Sequence, residues 1–170
     1  IGSEQIISAL FGYGSFTENS VFNSSNALYY FGLGLPAFAL IKVFSTFFFA
    51  NHDTKTPFYI SLVSVLLNIF ISVYFFKDIG FIIIPIATTI SSWFNSLILF
   101  IYLKNNNLFE FNETFFKQFV KIIFASIMMG IFFQYLILIF ENQLSYAYFL
   151  KSAYLLLCVL FAVIFYFALS

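Results

Sequence analysis

Apolar residues in this chain fall into five long blocks, at 27–50, 57–76, 80–103, 117–140 and 147–169. Each block is near the roughly 20 residues that a helix needs to cross the hydrocarbon core of a bilayer. None of them alternates with the two-residue period of a strand. A helix also satisfies its own backbone in lipid, which an open strand cannot do. The pattern predicts an all-α polytopic integral membrane bundle of five full transmembrane helices. The polar breaks at 51–56, 77–78, 104–116 and 141–146 are short, so successive helices should be antiparallel neighbours.

The blocks differ in their polar residues. In the second, Ser61, Ser64, Asn68 and Ser72 recur at spacings of three, four and four, which places them on one helical face. In the third, Thr88, Ser92 and Asn95 repeat the arrangement. Such a stripe faces protein or a water-filled cavity, not lipid. The serines suit ordinary helix–helix packing. The two asparagines ask for more, because a carboxamide brings two donors and an acceptor that need partners.

The first block holds Gly32, Gly34 and Pro36. A proline cannot donate to the carbonyl four residues back, so the Gly32 carbonyl is freed and a bend is expected there. In the fourth, Ser126, Gly130 and Gln134 have the spacing of a packing face. The fifth is nearly all apolar and aromatic; it offers no site and should meet lipid or an acyl chain.

Composition removes most other classes. The chain is 62% hydrophobic and 8% charged, with a mean hydropathy of +1.01. Soluble domains carry about 25% charged residues. Net charge is zero, which gives no footprint for nucleic acid. The single cysteine, Cys158, excludes an internal disulfide and a cysteine metal site. His52 beside Asp53 is one histidine in a loop. No phosphate-binding glycine loop and no nucleophile constellation is present, so the chain is not read as an enzyme, and no cofactor is expected.

All seven basic residues are lysines. Lys55, Lys104, Lys117 and Lys121 fall on one set of connections, and Lys77 and Lys151 on the other. The richer side should be cytoplasmic. This places the loop of Asp53 and Lys55 and the C-terminus in the cytoplasm, and residues 12–26 outside. Lys117 and Lys121 suit anionic headgroups.

Lys42 stands apart from these. It lies eight residues from Ala50, about 12 Å of helix rise. A charge at such a depth costs roughly 2.5 kcal/mol or more on insertion scales. Two settings are open to it, a protein- or cavity-facing position and a snorkelling one. The depth favours the first, and with it a role in transport.

Several runs resemble one family. They are Leu35-Pro36-Ala37-Phe38, Lys42-Val43, and Phe49-Ala50-Asn51-His52-Asp53-Thr54-Lys55-Thr56-Pro57. Leu10-Phe11-Gly12-Tyr13-Gly14-Ser15-Phe16, Ala87-Thr88 and Trp93-Phe94-Asn95 agree with them. Together they resemble the lipid II flippase family MurJ, also called MviN, of the multidrug/oligosaccharidyl-lipid/polysaccharide exporter superfamily. The turn Asp53, Thr54, Lys55, Thr56, Pro57 is the most specific of these pieces.

The resemblance implies a fourteen-helix flippase fold of which the five spans here are helices 10–14, so the chain is read as a C-terminal fragment. Residues 1–26 would be the outer tail of a missing preceding span plus an external loop. Residues 27–103 would be the last three helices of the second transport lobe. Residues 104–116 would be a cytoplasmic linker, and 117–170 two extra C-terminal helices.

The implied function is movement of a lipid-linked peptidoglycan precursor across the bacterial inner membrane by alternating access. Its partners would be that precursor, membrane lipids and the missing N-terminal part of the same chain. Lys42 and Asn95 become candidates for the substrate cavity. The resemblance also implies a cation site at Asn68, Ser72, Ile84 through its carbonyl, and Thr88, with monovalent cation coupling. The family's carboxylate is replaced here by Ser72, and a hard cation wants anionic oxygen. An exporter of other lipid-linked oligosaccharides or drugs, or a non-transporting scaffold subunit, are the alternative readings.

Overall fold

The computed structural model describes residues 2–106, 113–144 and 150–169. The central part of the expected linker, 107–112, and the start of the fifth expected span, 147–149, lie outside the described residues. Among the described residues six α-helices follow one another: α1 (Ser3–Phe11), α2 (Glu18–Ala50), α3 (Lys55–Ile79), α4 (Ile83–Asn105), α5 (Glu113–Ile139) and α6 (Lys151–Leu169), with a 3₁₀ turn at Gly80–Ile82. No strand occurs among the described residues. The fold is an all-α helix bundle.

Among the described residues four continuous helical stretches are long and apolar enough to cross a membrane. One of them, Lys55–Asn105, is 51 residues long, about 76 Å if it were straight. It is folded in two. Asn68 bonds Thr88 and Ser91, and Asn95 bonds Ser61. Partners that move apart in step about one turn define an antiparallel hairpin of α3 and α4. The five expected spans therefore appear as five long helices in four stretches.

Hydropathy places the start of the first span at residue 27, but α2 begins at Glu18. Thr17 caps it: its hydroxyl accepts the Ser20 N–H at 3.3 Å, and its carbonyl accepts the Val21 N–H at 2.9 Å. Glu18 adds negative charge at the positive end of the helix dipole. The opening turns are rich in serine and asparagine, so a hydropathy window does not register them. At 33 residues, α2 is about 50 Å long and exceeds a hydrocarbon core of about 30 Å.

Burial runs opposite to that of a water-soluble helix. Along α3, Ser64 is buried while Phe58, Leu62, Leu66, Phe70 and Val73 are exposed. Along α4, Ser91, Ser92, Asn95 and Ser96 are buried. Along α3 and the middle of α4 the polar residues point into protein and large apolar residues point outward, as they would toward lipid, while the two ends of α4 bury apolar residues as well.

The chain divides into two compact units, residues 27–110 and residues 1–26 with 111–170. In the first of these, Phe44 and Phe48 of α2 pack on Leu99 and Leu103 of α4. In the other, Ala9, Ile137, Leu144 and Leu155 form the core. Phe132 and Phe165 stack there with ring centroids 4.4 Å apart.

Two glycines of α2 have different work. A Cβ at Gly34 would lie 3.0 Å from Thr89 Oγ1 of α4, whereas one at Gly32 would meet nothing within 4 Å. Gly34 marks a close helix approach and Gly32 does not. Gly32→Ala should therefore stabilise by about 0.5–1 kcal/mol through helix propensity. Gly34→Val should cost about 1–3 kcal/mol by overpacking. Thermal unfolding of both variants in detergent checks the pair; equal effects would dismiss the close approach.

Candidate functional site

The hydroxyls of the α3–α4 seam mostly bond back to their own helix. Ser64 donates to the Ile60 carbonyl at 2.9 Å, and Ser92 to the Thr88 carbonyl at 2.6 Å. The bonds that cross between the helices come from the two asparagines. Asn68 Nδ2 donates to Thr88 Oγ1 at 3.1 Å and to Ser91 Oγ at 3.3 Å. Asn95 Nδ2 donates to Ser61 Oγ at 3.4 Å. Asn95 is 7% exposed, and its Oδ1 has no partner among the described residues. Ser61, Asn68, Thr88 and Asn95 line a cavity of about 380 Å³ whose third wall is Phe38 and Ile41 of α2. The cavity is open and its lining is mainly apolar, with the asparagines and hydroxyls forming a narrow polar strip along it.

The four residues expected at a cation site do come together. Ser72 Oγ donates to Asn68 Oδ1 at 3.3 Å, Asn68 donates to Thr88, and Thr88 Oγ1 donates to the Ile84 carbonyl at 2.8 Å. The chain of bonds runs head to tail, so the Asn68, Thr88 and Ile84 oxygens each accept a neighbour's hydrogen, while the Ser72 hydroxyl is its first donor. None of the oxygens carries a formal charge. Among the described residues no group of three or more His, Cys, Asp or Glu could hold a metal ion. In this arrangement the quartet does not fit a cation, because none of its oxygens is anionic and three of the four already accept a neighbour's hydrogen.

Lys42 is exposed on α2 and is not part of the cavity wall, although Ile41 beside it is. Its carbonyl accepts the Thr46 hydroxyl at 2.9 Å. Pro36 lies within α2, which continues as a helix through it. The backbone around it is served from α4: Trp93 Nε1 donates to the Leu33 carbonyl at 3.1 Å, and Thr89 Oγ1 to the Tyr30 carbonyl at 2.7 Å. The Gly32 carbonyl is the one that the proline is expected to free. The Leu33 carbonyl is three residues before the proline, on the same loosened turn. Thr89, Trp93 and Ser91 are the functional contacts that periodicity alone misses, since two of them face α2 instead of α3.

The turn between α2 and α3 is built by its own sequence. Asp53 N–H bonds the Phe48 carbonyl at 2.9 Å, and His52 N–H bonds the Phe49 carbonyl at 3.0 Å. With His52 at φ 59°, this is a Schellman ending to α2 with histidine in the place that glycine prefers. Asp53 Oδ1 then accepts the N–H groups of Lys55 and Thr56 at 3.1 and 3.0 Å. Pro57 follows in the first turn of α3 and has no N–H to satisfy. Asp53, Thr54, Lys55, Thr56 and Pro57 thus end one helix and start the next within a few residues.

Hydrogen bonds from the Thr56 side chain and backbone, aided by Lys55, hold the Asp53 carboxyl below its ordinary 3.8. A lowered folded value means the cap is present above about pH 4 and is lost as pH falls through the folded value. Amide exchange at Lys55 and Thr56 should lose protection below pH 3.8. Asp53→Asn, which cannot ionise, should abolish that pH dependence; its persistence would show that another group is responsible.

The family profile described as "Lipid II flippase MurJ" matches residues 1–157. A probable lipid II flippase MurJ of Buchnera aphidicola subsp. Baizongia pistaciae is 30% identical over 141 residues, covering 83% of this chain and 26% of that protein. The protein of the same description from Rickettsia prowazekii is 36% identical over 100 residues, covering 59% of this chain and 20% of that one. That from Rhizobium meliloti is 39% identical over 98 residues, covering 58% and 18%. The chain spans about a quarter or less of the curated relatives it matches. With the profile covering nearly all of its length, the chain belongs to the MurJ lipid II flippase family.

Proposed function

We propose that the protein containing this chain moves lipid II, the lipid-linked peptidoglycan precursor, across the bacterial inner membrane. The profile match over residues 1–157 carries the reading. The inverted burial of α3 and α4 supports it, since a buried polar face is what a cavity-lining helix pair needs. In this reading Lys42 supplies positive charge to a cavity completed by the rest of the protein, and Asn95 supplies an uncommitted acceptor. The Asp53–Lys55 turn and the C-terminus are cytoplasmic. No step is assigned to a coupling ion.

Complementation tests the reading. The full-length gene should restore growth to bacteria depleted of their own lipid II flippase. Failure at normal membrane levels would overturn it. Restoration only of a different sugar-lipid export mutant would redirect it to another cargo of the superfamily. Lys42→Ala in the full-length protein should lower growth rescue at least tenfold with protein levels unchanged, and Lys42→Arg should retain most of it. A silent Lys42→Ala would return the lysine to a snorkelling position.

A further inference from the structure

The two sides of Pro36 are held to α4 in different ways. After the proline, Phe44 and Phe48 of α2 are buried against Leu99 and Leu103. Close packing of that kind holds one geometry. Before the proline, the ties are hydrogen bonds, from Thr89 Oγ1 to the Tyr30 carbonyl at 2.7 Å and from Trp93 Nε1 to the Leu33 carbonyl at 3.1 Å. Gly32, Gly34 and Pro36 fall within five residues at this point. The glycines loosen the helix through backbone freedom, and the proline through its missing N–H.

Thr89 has a second acceptor of the same kind. On α4, Thr88, Ser91, Ser92 and Ser96 donate to carbonyls three or four residues back on their own helix, at 2.6–3.0 Å. Thr89 reaches across to α2 instead. A helical threonine has two χ1 rotamers open to it, so the Thr89 hydroxyl can exchange the Tyr30 carbonyl for that of Pro85 and keep a bond. The Tyr30 and Leu33 carbonyls have two lone pairs each and retain their helix bonds either way. Gly34 permits the close approach, since a Cβ there would lie 3.0 Å from Thr89 Oγ1. We propose that residues 27–35 form an arm jointed at Pro36, and that Thr89 and Trp93 are positioning residues that latch it to α4. Release parts the arm from α4 while the residues after Pro36 stay packed. The use of this arm in transport rests on the flippase reading, because alternating access needs an element with two positions. The latch itself does not rest on it.

Distances between spin labels in the full-length protein in lipid test the latch. One pair joins Tyr29→Cys on the arm to Leu97→Cys on α4. A control pair joins Val43→Cys, beyond the proline, to the same Leu97→Cys. All three positions are exposed. Thr89→Val with Trp93→Phe removes both donors and keeps most of their bulk. Each lost bond should move the balance toward the released arm about three- to fivefold. The Tyr29 pair should then lengthen or broaden, and the Val43 pair should not. Thr89→Val alone should do the same to a smaller extent, and Thr89→Ser, which keeps the hydroxyl, should match the unaltered protein. Pro36→Ala should suppress the change by restoring the missing N–H. An unchanged Tyr29 pair, equal broadening of both pairs, or broadening that survives Pro36→Ala would overturn the proposal. Growth rescue is read separately. Where the unaltered gene rescues, the double variant should rescue less and Thr89→Ser equally well; full rescue with a released arm would remove the arm from transport. Where the unaltered gene fails, the flippase reading falls and the distances still decide the latch.

Discussion

Replacing Lys151 by methionine should lower the stability of the unit formed by residues 1–26 and 111–170 by about 3 kcal/mol. Lys151 is 1% exposed. Its ammonium donates to the Gly12 carbonyl at 2.7 Å and lies 4.3 Å from the centre of the Tyr13 ring. Hydrogen bonds from charged groups contribute about 1.5–3 kcal/mol, and a desolvated cation–π contact about 2 kcal/mol. The two share one ammonium group, so they do not simply add.

The location sharpens the argument. Lys151 is the first residue of α6, where the helix dipole disfavours a cation. Gly12 is the C-cap of α1, where the dipole favours one. The lysine is misplaced on its own helix and well placed on another. Ser152 reinforces the tie by donating to the Ala9 carbonyl at 2.6 Å and by sharing a 2.6 Å hydrogen bond with the Tyr13 hydroxyl.

Methionine keeps the stem and removes the charge, so thermal unfolding of Lys151→Met isolates the ammonium. In a double-mutant cycle with Tyr13→Leu the two losses should sum to more than the double variant shows. An unchanged unfolding temperature for Lys151→Met would mean that the ammonium carries no net stability.

Such a tie is not legible in the sequence. Lys151 and Gly12 are 139 residues apart, and a backbone carbonyl has no side-chain signature. Counted by side of the membrane, Lys151 reads as an outer-loop lysine. The polar seam was legible for the opposite reason. Asn68, Thr88 and Asn95 sit at helical spacing in otherwise apolar runs, and lipid leaves such residues no partner except another helix. Periodicity places a residue on a face but does not say which neighbour the face meets. Thr89 and Trp93 turn to the Tyr30 and Leu33 carbonyls of α2, the second of them on the turn that Pro36 loosens. The start of α2 is hidden because a cap such as Thr17 acts through the backbone while its helix opens on polar residues. The Asp53 turn is the most legible piece, because its residues act within six positions of one another.

Gly80→Ala is expected to destabilise the α3–α4 hairpin by about 1–3 kcal/mol, the cost of forcing a Cβ into backbone space that is essentially reserved for glycine. Gly80 has φ 76° and ψ −153°. A Cβ there would touch nothing within 4 Å, so the penalty is conformational and no neighbouring side chain can relieve it by moving. His52, at φ 59°, shows that the chain tolerates a non-glycine residue at positive φ. Gly80 differs in ψ, which lies outside the left-handed helical well that asparagine or histidine can occupy. Gly80→Asn should therefore be no better than Gly80→Ala, and matching losses in unfolding temperature would establish that point. The Gly80 N–H also bonds the Phe76 carbonyl and ends α3, so relaxing the strain means moving the turn. Moving the turn shifts α4 along α3 and parts Asn68 from Thr88 and Ser91. Growth rescue by the full-length gene, if it has the proposed flippase function, should fall with stability in Gly80→Ala. Unchanged stability in Gly80→Ala would mean that the seam holds its register without the turn.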